Sequence, residues 1–367
     1  MSRFLPTMNF TSNHTQGALA RPSNNNSIPI ITNPEELIAC YICKYIIGLS
    51  GGLTNLFLIV VVCLQTSTLS AGIKWLVVQY SFAYFSISLI MYPVRDTMIM
   101  GTQFNFTVPL SQYCPHFAAA NTVCWALANW TEVCLAFNRL VAICFPHHYA
   151  YLKPKKAIVI CLLFAWAMAF LAALPATYAW PGRQPLTKAA ILSCSILQAG
   201  PASQFVTSWE TFIPYSIAGL MSITILVKAA LMKRKRHIGD VNSKTDKRQM
   251  TTHKRRMKLA FMLVASFVWN CICNMPFLII TTGMAYLLKA NPSLGLWVRL
   301  LRSFQVAISP LVFFMFNVEY RRTGRNLVAR CFGIPQLGEK AMTSGGGVSV
   351  SVVQSKTNAH EGPNLED

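Results

Sequence analysis

Seven long hydrophobic runs, separated by short polar segments, dominate the pattern of the chain. Each run is long enough to cross the hydrocarbon core of a bilayer as a helix, which takes about 20 residues. None shows the alternation of a strand, and in lipid only helices or closed barrels satisfy all their backbone groups. The pattern therefore predicts an all-α membrane protein, a single seven-transmembrane helix bundle with approximate spans 37–64, 73–98, 114–143, 156–178, 207–232, 257–287 and 295–316.

Charged residues are scarce, and the basic ones lie mostly on one side of the predicted bundle. Only 12% of the 367 residues are charged, against about 25% in soluble domains. The net charge of +20 does not indicate nucleic-acid binding, because the basic residues lie almost entirely between the apolar runs. Of the 32 Lys and Arg residues, 22 lie on the side of loop 233–258 and the C-terminus. The positive-inside rule therefore predicts an extracellular N-terminus and a cytoplasmic C-terminus.

Four acceptor sites for N-linked glycosylation fall on the side predicted to be extracellular. They are Asn9, Asn13, Asn25 and Asn105. Such sites are modified only on the extracytoplasmic face, so they agree with the predicted orientation. Residues 1–34 lack the basic and apolar regions of a cleaved signal peptide, and we expect the first apolar run to direct insertion.

The twelve cysteines do not form a recognisable metal or redox motif. Most lie inside apolar runs, where a free cysteine behaves as a small buried hydrophobic residue. We therefore expect no metal site and no cofactor. Neither paired aspartates nor a Ser/His pair on facing helices is visible, so we also expect no catalytic activity.

Short motifs at the ends of the third run favour one family of membrane proteins. Its outer end carries Cys114 and its inner end Asn138-Arg139-Leu140, with Pro146 seven residues after the arginine. This arrangement resembles the rhodopsin-like (class A) G-protein-coupled receptors. The resemblance covers residues 37–332, with further markers in other runs at Asn55, Trp166, Pro214, Pro276 and Ser309-Pro310-Leu311-Val312-Phe313.

Several positions depart from the family pattern. Asn138 replaces the acid before the arginine, Leu140 replaces the tyrosine after it, and Ser86 stands at the second-helix aspartate. The sixth-helix motif reads Cys273-Asn274-Met275-Pro276, without the usual tryptophan, and Ser222 replaces a fifth-helix tyrosine. The resemblance therefore extends to the fold, but not to sodium-linked inhibition or to the standard activation switch.

The resemblance implies roles for individual residues. It implies a disulfide between Cys114 and Cys194 that ties the second extracellular loop over the bundle. Arg139 either extends to lipid phosphates or holds the third and sixth helices together at rest and meets the G protein, which we favour. With Asn138 beside it, we expect a weak resting lock. The residues assigned to activation and coupling are Asn138, Arg139, Leu140, Pro146, Cys273, Asn274, Pro276, Ser309, Pro310 and Phe313.

Charged residues inside the apolar runs are candidates for ligand binding, because they are costly in a bilayer. Arg299 and Arg302 share a face of the seventh helix, where they either meet an anionic ligand group or pair internally with Glu132, Asp96 or Glu210. Asn121 and Glu210 complete the ligand candidates. Asn121 replaces the aspartate of monoamine receptors, and Ser303 replaces the retinal lysine of visual pigments. The long second extracellular loop slightly favours a peptide ligand over a lipid-derived or other small ligand.

The predicted organisation is an extracellular N-terminus (1–36), the bundle (37–317), an amphipathic eighth helix (318–332) and a disordered cytoplasmic tail (333–367). Cys331 is a palmitoylation candidate. The basic loop 233–258 is expected to contact anionic lipid and a heterotrimeric G protein, and the tail a receptor kinase and arrestin. The predicted function is a ligand-activated receptor of the plasma membrane. A transporter or channel is the alternative, although no internal repeat is visible.

Overall fold

The computed structural model describes residues 34–65, 71–103, 114–145, 149, 155–177, 205–236, 244–284, 287 and 291–333. Within these ranges the chain is almost entirely helical and contains no strand. Three of the helices include a π-helical turn. In chain order the helices are α1 (Pro34–Leu64), α2 (Ala71–Ser86, a π turn at Ile87–Met91, then Tyr92–Gln103), α3 (Cys114–Cys144), α4 (Lys155–Thr177), α5 (a π turn at Ser208–Phe212, then Ile213–Arg236), α6 (Lys244–Leu278, then a π turn at Ile279–Gly283), α7 (Pro292–Phe316) and α8 (Val318–Cys331).

The first seven helices correspond to the seven predicted runs. Six of them are long and apolar enough to cross a membrane, and α3 is the exception. The exception has a physical reason: α3 packs against α2, α4, α5 and α6, and residues 125–136 are buried without interruption. A helix enclosed by its neighbours presents little surface to lipid, so it can carry polar groups such as Asn129 and Glu132, which are buried.

The outer surface of the bundle is apolar and its interior holds many polar groups. Leu163, Leu220 and Ile223 are each at least 60% exposed, whereas Asn55, Asn270 and Gln305 are completely buried. This is the reverse of the usual distribution in a soluble protein. It is the distribution expected when lipid surrounds the helices. The end of the bundle at which α1, α3, α5 and α7 begin is called the upper end, and the opposite end the lower end.

Helices α1 and α7 approach each other closely at Gly51. A Cβ atom at this glycine would lie 3.1 Å from the Cα of Ala307 and 3.2 Å from its backbone nitrogen. One turn below, the Asn55 side-chain amide donates to the carbonyls of Gly51 (2.8 Å) and Val306 (3.0 Å). The first-helix marker Asn55 therefore ties two helices together through their backbones.

Helix α8 begins with a side-chain cap. The Asn317 Oδ1 accepts from the backbone N–H groups of Glu319 (3.0 Å) and Tyr320 (3.5 Å), which satisfies two donors that a helix start leaves free. Tyr320 turns inward, and its burial raises the pKa of its phenol to about 12. At the far end of the helix Cys331 is exposed.

Candidate ligand and transmission site

The π turn of α5 provides backbone acceptors for side chains of α3. A π turn interrupts the regular pattern of backbone hydrogen bonds and releases carbonyl groups. The Asn129 amide donates to the Glu210 carbonyl (2.8 Å), and the Trp130 indole donates to the Trp209 carbonyl (3.2 Å). The Trp209 indole in turn donates to the Met168 carbonyl of α4 (3.2 Å). These bonds fix the upper part of α5 against α3 and α4.

The Glu210 side chain faces α7, where it meets Arg302. Arg302 Nη2 lies 3.5 Å from Glu210 Oε1, and both side chains are mostly buried. The guanidinium also lies 3.7 Å from the centroid of the Trp125 ring and 5.1 Å from that of Phe277, distances at which a cation is attracted to an aromatic face. Arg302 therefore pairs internally, and of the three acids considered from the sequence its partner is Glu210.

Below this ion pair lies a network of uncharged polar side chains. The Asn274 amide of α6 donates to the Tyr215 hydroxyl of α5 (2.7 Å) and to Gln305 of α7. The Gln305 amide donates to the Tyr84 hydroxyl of α2 (2.6 Å). Asn274 thus connects three helices directly and a fourth through Gln305.

The same network reaches α3 one turn lower on α6. The Asn270 amide donates to Glu132 Oε2 (2.6 Å), and the Ser309 hydroxyl donates to Asn270 Oδ1 (3.5 Å). Glu132 is buried, and no basic residue in the described ranges forms an ion pair with it. Its partner is an amide, which links α3 to α6 at mid-height.

The family model "7 transmembrane receptor (rhodopsin family)" matches residues 54–313, which is most of the chain. The chain therefore belongs to the rhodopsin family of receptors. The fold and the predicted family are confirmed. No curated protein sequence matches the receptor. Membership makes it a multi-pass plasma-membrane receptor that works with an extracellular ligand and a G protein, in a family that is generally not enzymatic.

At the lower end of the receptor, Asn138 and Arg139 are both buried. No Asp or Glu within the described ranges forms an ion pair with Arg139. Leu140 packs with Ile143 and Ile225. The contact between α3 and α5 is apolar here. A weak resting lock at Arg139 stays a prediction.

The remaining predicted site residues fall into three groups. Cys273, Ser309, Pro310 and Phe313 are buried in the bundle, and Asn121 is half-buried. Cys114 begins α3, but its side chain, like Cys194 and Pro146, is outside the described residues, and so are the four glycosylation sites. The disulfide therefore stays a prediction. No group of residues in the described ranges has the composition of a metal site.

Sequence reasoning missed part of the network. Tyr84, Tyr215, Asn270 and Gln305 were not among the candidates. One signal was available: Asn270 and Asn274 are four residues apart, so they share a face of α6, and polar residues on one face of a transmembrane helix usually contact other helices. No comparable signal identifies Tyr84.

Proposed function

We propose that this receptor binds an extracellular ligand at the upper end of the bundle and activates a heterotrimeric G protein through the lower ends of α3, α5 and α6. The observation that carries the proposal is a continuous series of buried contacts from the upper end to the middle of the bundle. It begins at the Arg302–Glu210 pair and passes through the ring of Trp125, 6.1 Å from that of Tyr84. It continues through Gln305 and Asn274 to Asn270 and Glu132.

Such a series can carry a change at the upper end into the helices that reach the lower end, because a ligand can replace one of the partners in it. A ligand that engages Arg302 or Glu210 competes with their mutual pairing. Gln305 lies three residues after Arg302 on α7, so a shift of α7 reaches the bond between Gln305 and Asn274. A ligand changes the equilibrium between two arrangements only by its different affinity for each of them. Pro276 and Pro310 interrupt the backbone bonding of α6 and α7 and provide places where these helices bend.

Several features support the finer parts of the proposal. The distribution of basic residues supports an extracellular N-terminus with glycans at Asn9, Asn13, Asn25 and Asn105. The exposure of Cys331 at the end of α8 makes it accessible for palmitoylation. We further propose the Cys114–Cys194 bridge, and phosphorylation of the tail by a receptor kinase followed by arrestin binding. The length of the second extracellular loop slightly favours a peptide ligand.

A cell assay tests the proposal. The full chain is expressed with reporters for each G-protein class and exposed to a peptide library, with surface expression measured in parallel. We expect activation of at least one class, and Asn274→Leu should change the ratio of ligand-free to stimulated signalling. The control is Gln79→Leu, which removes a buried amide that bonds to Thr131 outside the network (2.8 Å).

Two results would contradict the proposal. One is a receptor that reaches the surface and activates no G-protein class, with or without ligand. The other is a signalling ratio for Asn274→Leu that matches that of the Gln79→Leu control, because the network would then have no part in transmission.

A further inference from the structure

A second group of charges, of which Lys44 and Asp96 are buried, lies at the upper end between α1, α2 and α7. Lys44 of α1 forms an ion pair with Asp96 of α2, and both side chains are at most 4% exposed. Arg95 Nε lies 3.7 Å from the same carboxylate oxygen. Both Lys44 and Arg95 lie over the ring of Tyr92, at 5.0 and 5.3 Å from its centroid. Arg299 lies between Leu296 and Leu300 along α7, and these two residues pack with Cys40 and Tyr41 of α1.

The group carries more positive than negative charge. Among the described residues it contains three cations, Lys44, Arg95 and Arg299, and one carboxylate, Asp96. Each uncompensated charge in a membrane interior costs several kcal/mol. Arg302, by contrast, is compensated by Glu210. The two arginines of α7 therefore differ: Arg302 is paired, and Arg299 belongs to a region with excess positive charge.

The rest of the chain offers little that could neutralise this excess. No Asp or Glu is present in the segment before α1 or in the segments that join the helices at their upper ends, which are 1–33, 104–113, 178–204 and 284–291. Besides Asp96 and the paired Glu210, the acids at that end are Glu35 and Glu36, in the first turn of α1. Glu36 accepts from the Ser293 hydroxyl and from the Trp297 indole, both at 2.8 Å. It also lies two turns above Lys44. The excess of positive charge therefore favours binding of an anion from another molecule.

A cleft of about 260 Å³ between α1 and α2 leads to this group. Lys44 and Asp96 line it together with apolar side chains that include Ile46, Leu49 and Leu89. Ile46 is 64% exposed and Leu49 56%, so the cleft opens on the surface that faces lipid. The ammonium of Lys44 has three donors, and in the described ranges Asp96 is its only hydrogen-bond acceptor. Donors for an anion are thus available at an apolar cleft.

We propose that this cleft is a binding site for an acidic lipid of the bilayer, whose anionic head group meets Lys44 in the field of Arg95 and Arg299. The acyl chain lies along Ile46, Leu49 and Leu89. Apolar walls that open to lipid favour a lipid over a water-soluble anion. The site is separate from the Arg302–Glu210 pair, and its existence does not depend on the proposed signalling function.

Binding can be measured on the purified full chain in phosphatidylcholine nanodiscs. The probe is stearic acid with a nitroxide near its methyl end, and the immobilised fraction of its electron paramagnetic resonance spectrum reports contact with the protein. The methyl ester of the same probe has the same chain without the charge. We expect saturable immobilisation of one acid per receptor and at least tenfold weaker binding of the ester. Inorganic phosphate at millimolar concentration should not displace the acid.

Two variants test separately what the charge and the shape of the cleft contribute to binding. Lys44→Gln removes the donor group, and Leu49→Trp narrows the cleft with every charge in place. Each should weaken binding of the acid at least tenfold. The matched controls are Lys228→Gln, which removes an exposed cation of α5, and Leu53→Trp, which enlarges an equally exposed position of α1 outside the cleft. Both controls should bind like the wild type.

The proposal is overturned if the ester binds as tightly as the acid, since the head group would then be irrelevant. It is also overturned if inorganic phosphate displaces the probe, because the site would then take soluble anions. If Lys44→Gln does not fold, the test depends on Leu49→Trp. A Leu49→Trp variant that binds the acid as tightly as the wild type refutes the site. The assay contains no G protein, so its result is independent of whether the receptor signals.

Discussion

Removing both members of the Arg302–Glu210 pair should destabilise the receptor by less than the sum of the two single removals. In Glu210→Gln the guanidinium keeps its contacts with Trp125 and Phe277 but loses its counter-charge inside the bundle. In Arg302→Gln the carboxylate is left without a cation. Breaking a buried pair in this way costs about 3–5 kcal/mol, because it leaves an uncompensated charge. The double variant contains neither charge.

The size of the coupling can be worked out from the geometry. At 3.5 Å and an effective dielectric constant of about 20, Coulomb's law gives roughly 4.7 kcal/mol of gross attraction. The cation–π contact with Trp125 retains about 2 kcal/mol of favourable interaction for the arginine in the absence of Glu210. We therefore expect a coupling free energy of about 3 kcal/mol, the difference between these two values, in a double-mutant cycle. An ordinary hydrogen bond between membrane helices contributes about 0.6 kcal/mol.

The cysteines of the receptor provide the assay. Cys40, Cys134 and Cys273 are free and buried, so a thiol-reactive fluorophore reaches them only on unfolding, while the exposed Cys43, Cys63 and Cys331 give the baseline. Thermal midpoints of the wild type, both single variants and the double variant complete the cycle. All four are compared at one heating rate, because the midpoint of an irreversible unfolding transition depends on that rate. A double variant whose loss equals the sum of the single losses would refute the pairing.

Three further predictions concern other parts of the fold. Gly51→Val should lower the thermal midpoint by several degrees, because the valine side chain would meet the backbone of α7. Gly283→Ala should leave the midpoint unchanged, because a Cβ atom there meets nothing within 4 Å. A Gly51→Val midpoint equal to that of the wild type would refute the close approach of α1 and α7. Asn317→Ala should cost α8 about 1 kcal/mol and speed amide hydrogen exchange in its first turn, while Asn317→Ser should not; unchanged exchange would argue against the cap. Asn138→Asp should place an acid beside Arg139 and reduce ligand-free signalling at equal surface expression, and an unchanged signal would count against a weak lock.

The order and number of the transmembrane helices could be predicted because hydrophobic length is a direct consequence of bilayer thickness. Helix ends outside the apolar region could not. The sixth run was predicted to begin at residue 257, whereas α6 begins at Lys244. Its first turns are helical, but they are polar and basic, so they do not contribute to a hydrophobic pattern. The π turns were also missed, because they depend on partners from other helices rather than on local sequence.

The candidate site shows the same division. The spacing of Arg299 and Arg302 places them near one face of α7, but three residues also separate them by about 60° around the helix and about 4.5 Å along it. That offset directs Arg302 towards α3 and α5 and leaves Arg299 near α1 and α2. The choice among Glu132, Asp96 and Glu210 depends on packing between helices that are distant in sequence. No periodicity within α7 contains that information.

The π turn at Ser208–Phe212 also sets the rotational phase of the rest of α5. One residue in a regular α-helix corresponds to about 100° of rotation. Deleting a single residue from this turn would therefore swing the remainder of the helix by more than a quarter of a revolution. Ile225, which packs against Ile143 of α3, would then point elsewhere. The π turn beside Glu210 thus determines which α5 side chains meet α3 near the lower end, more than three turns away.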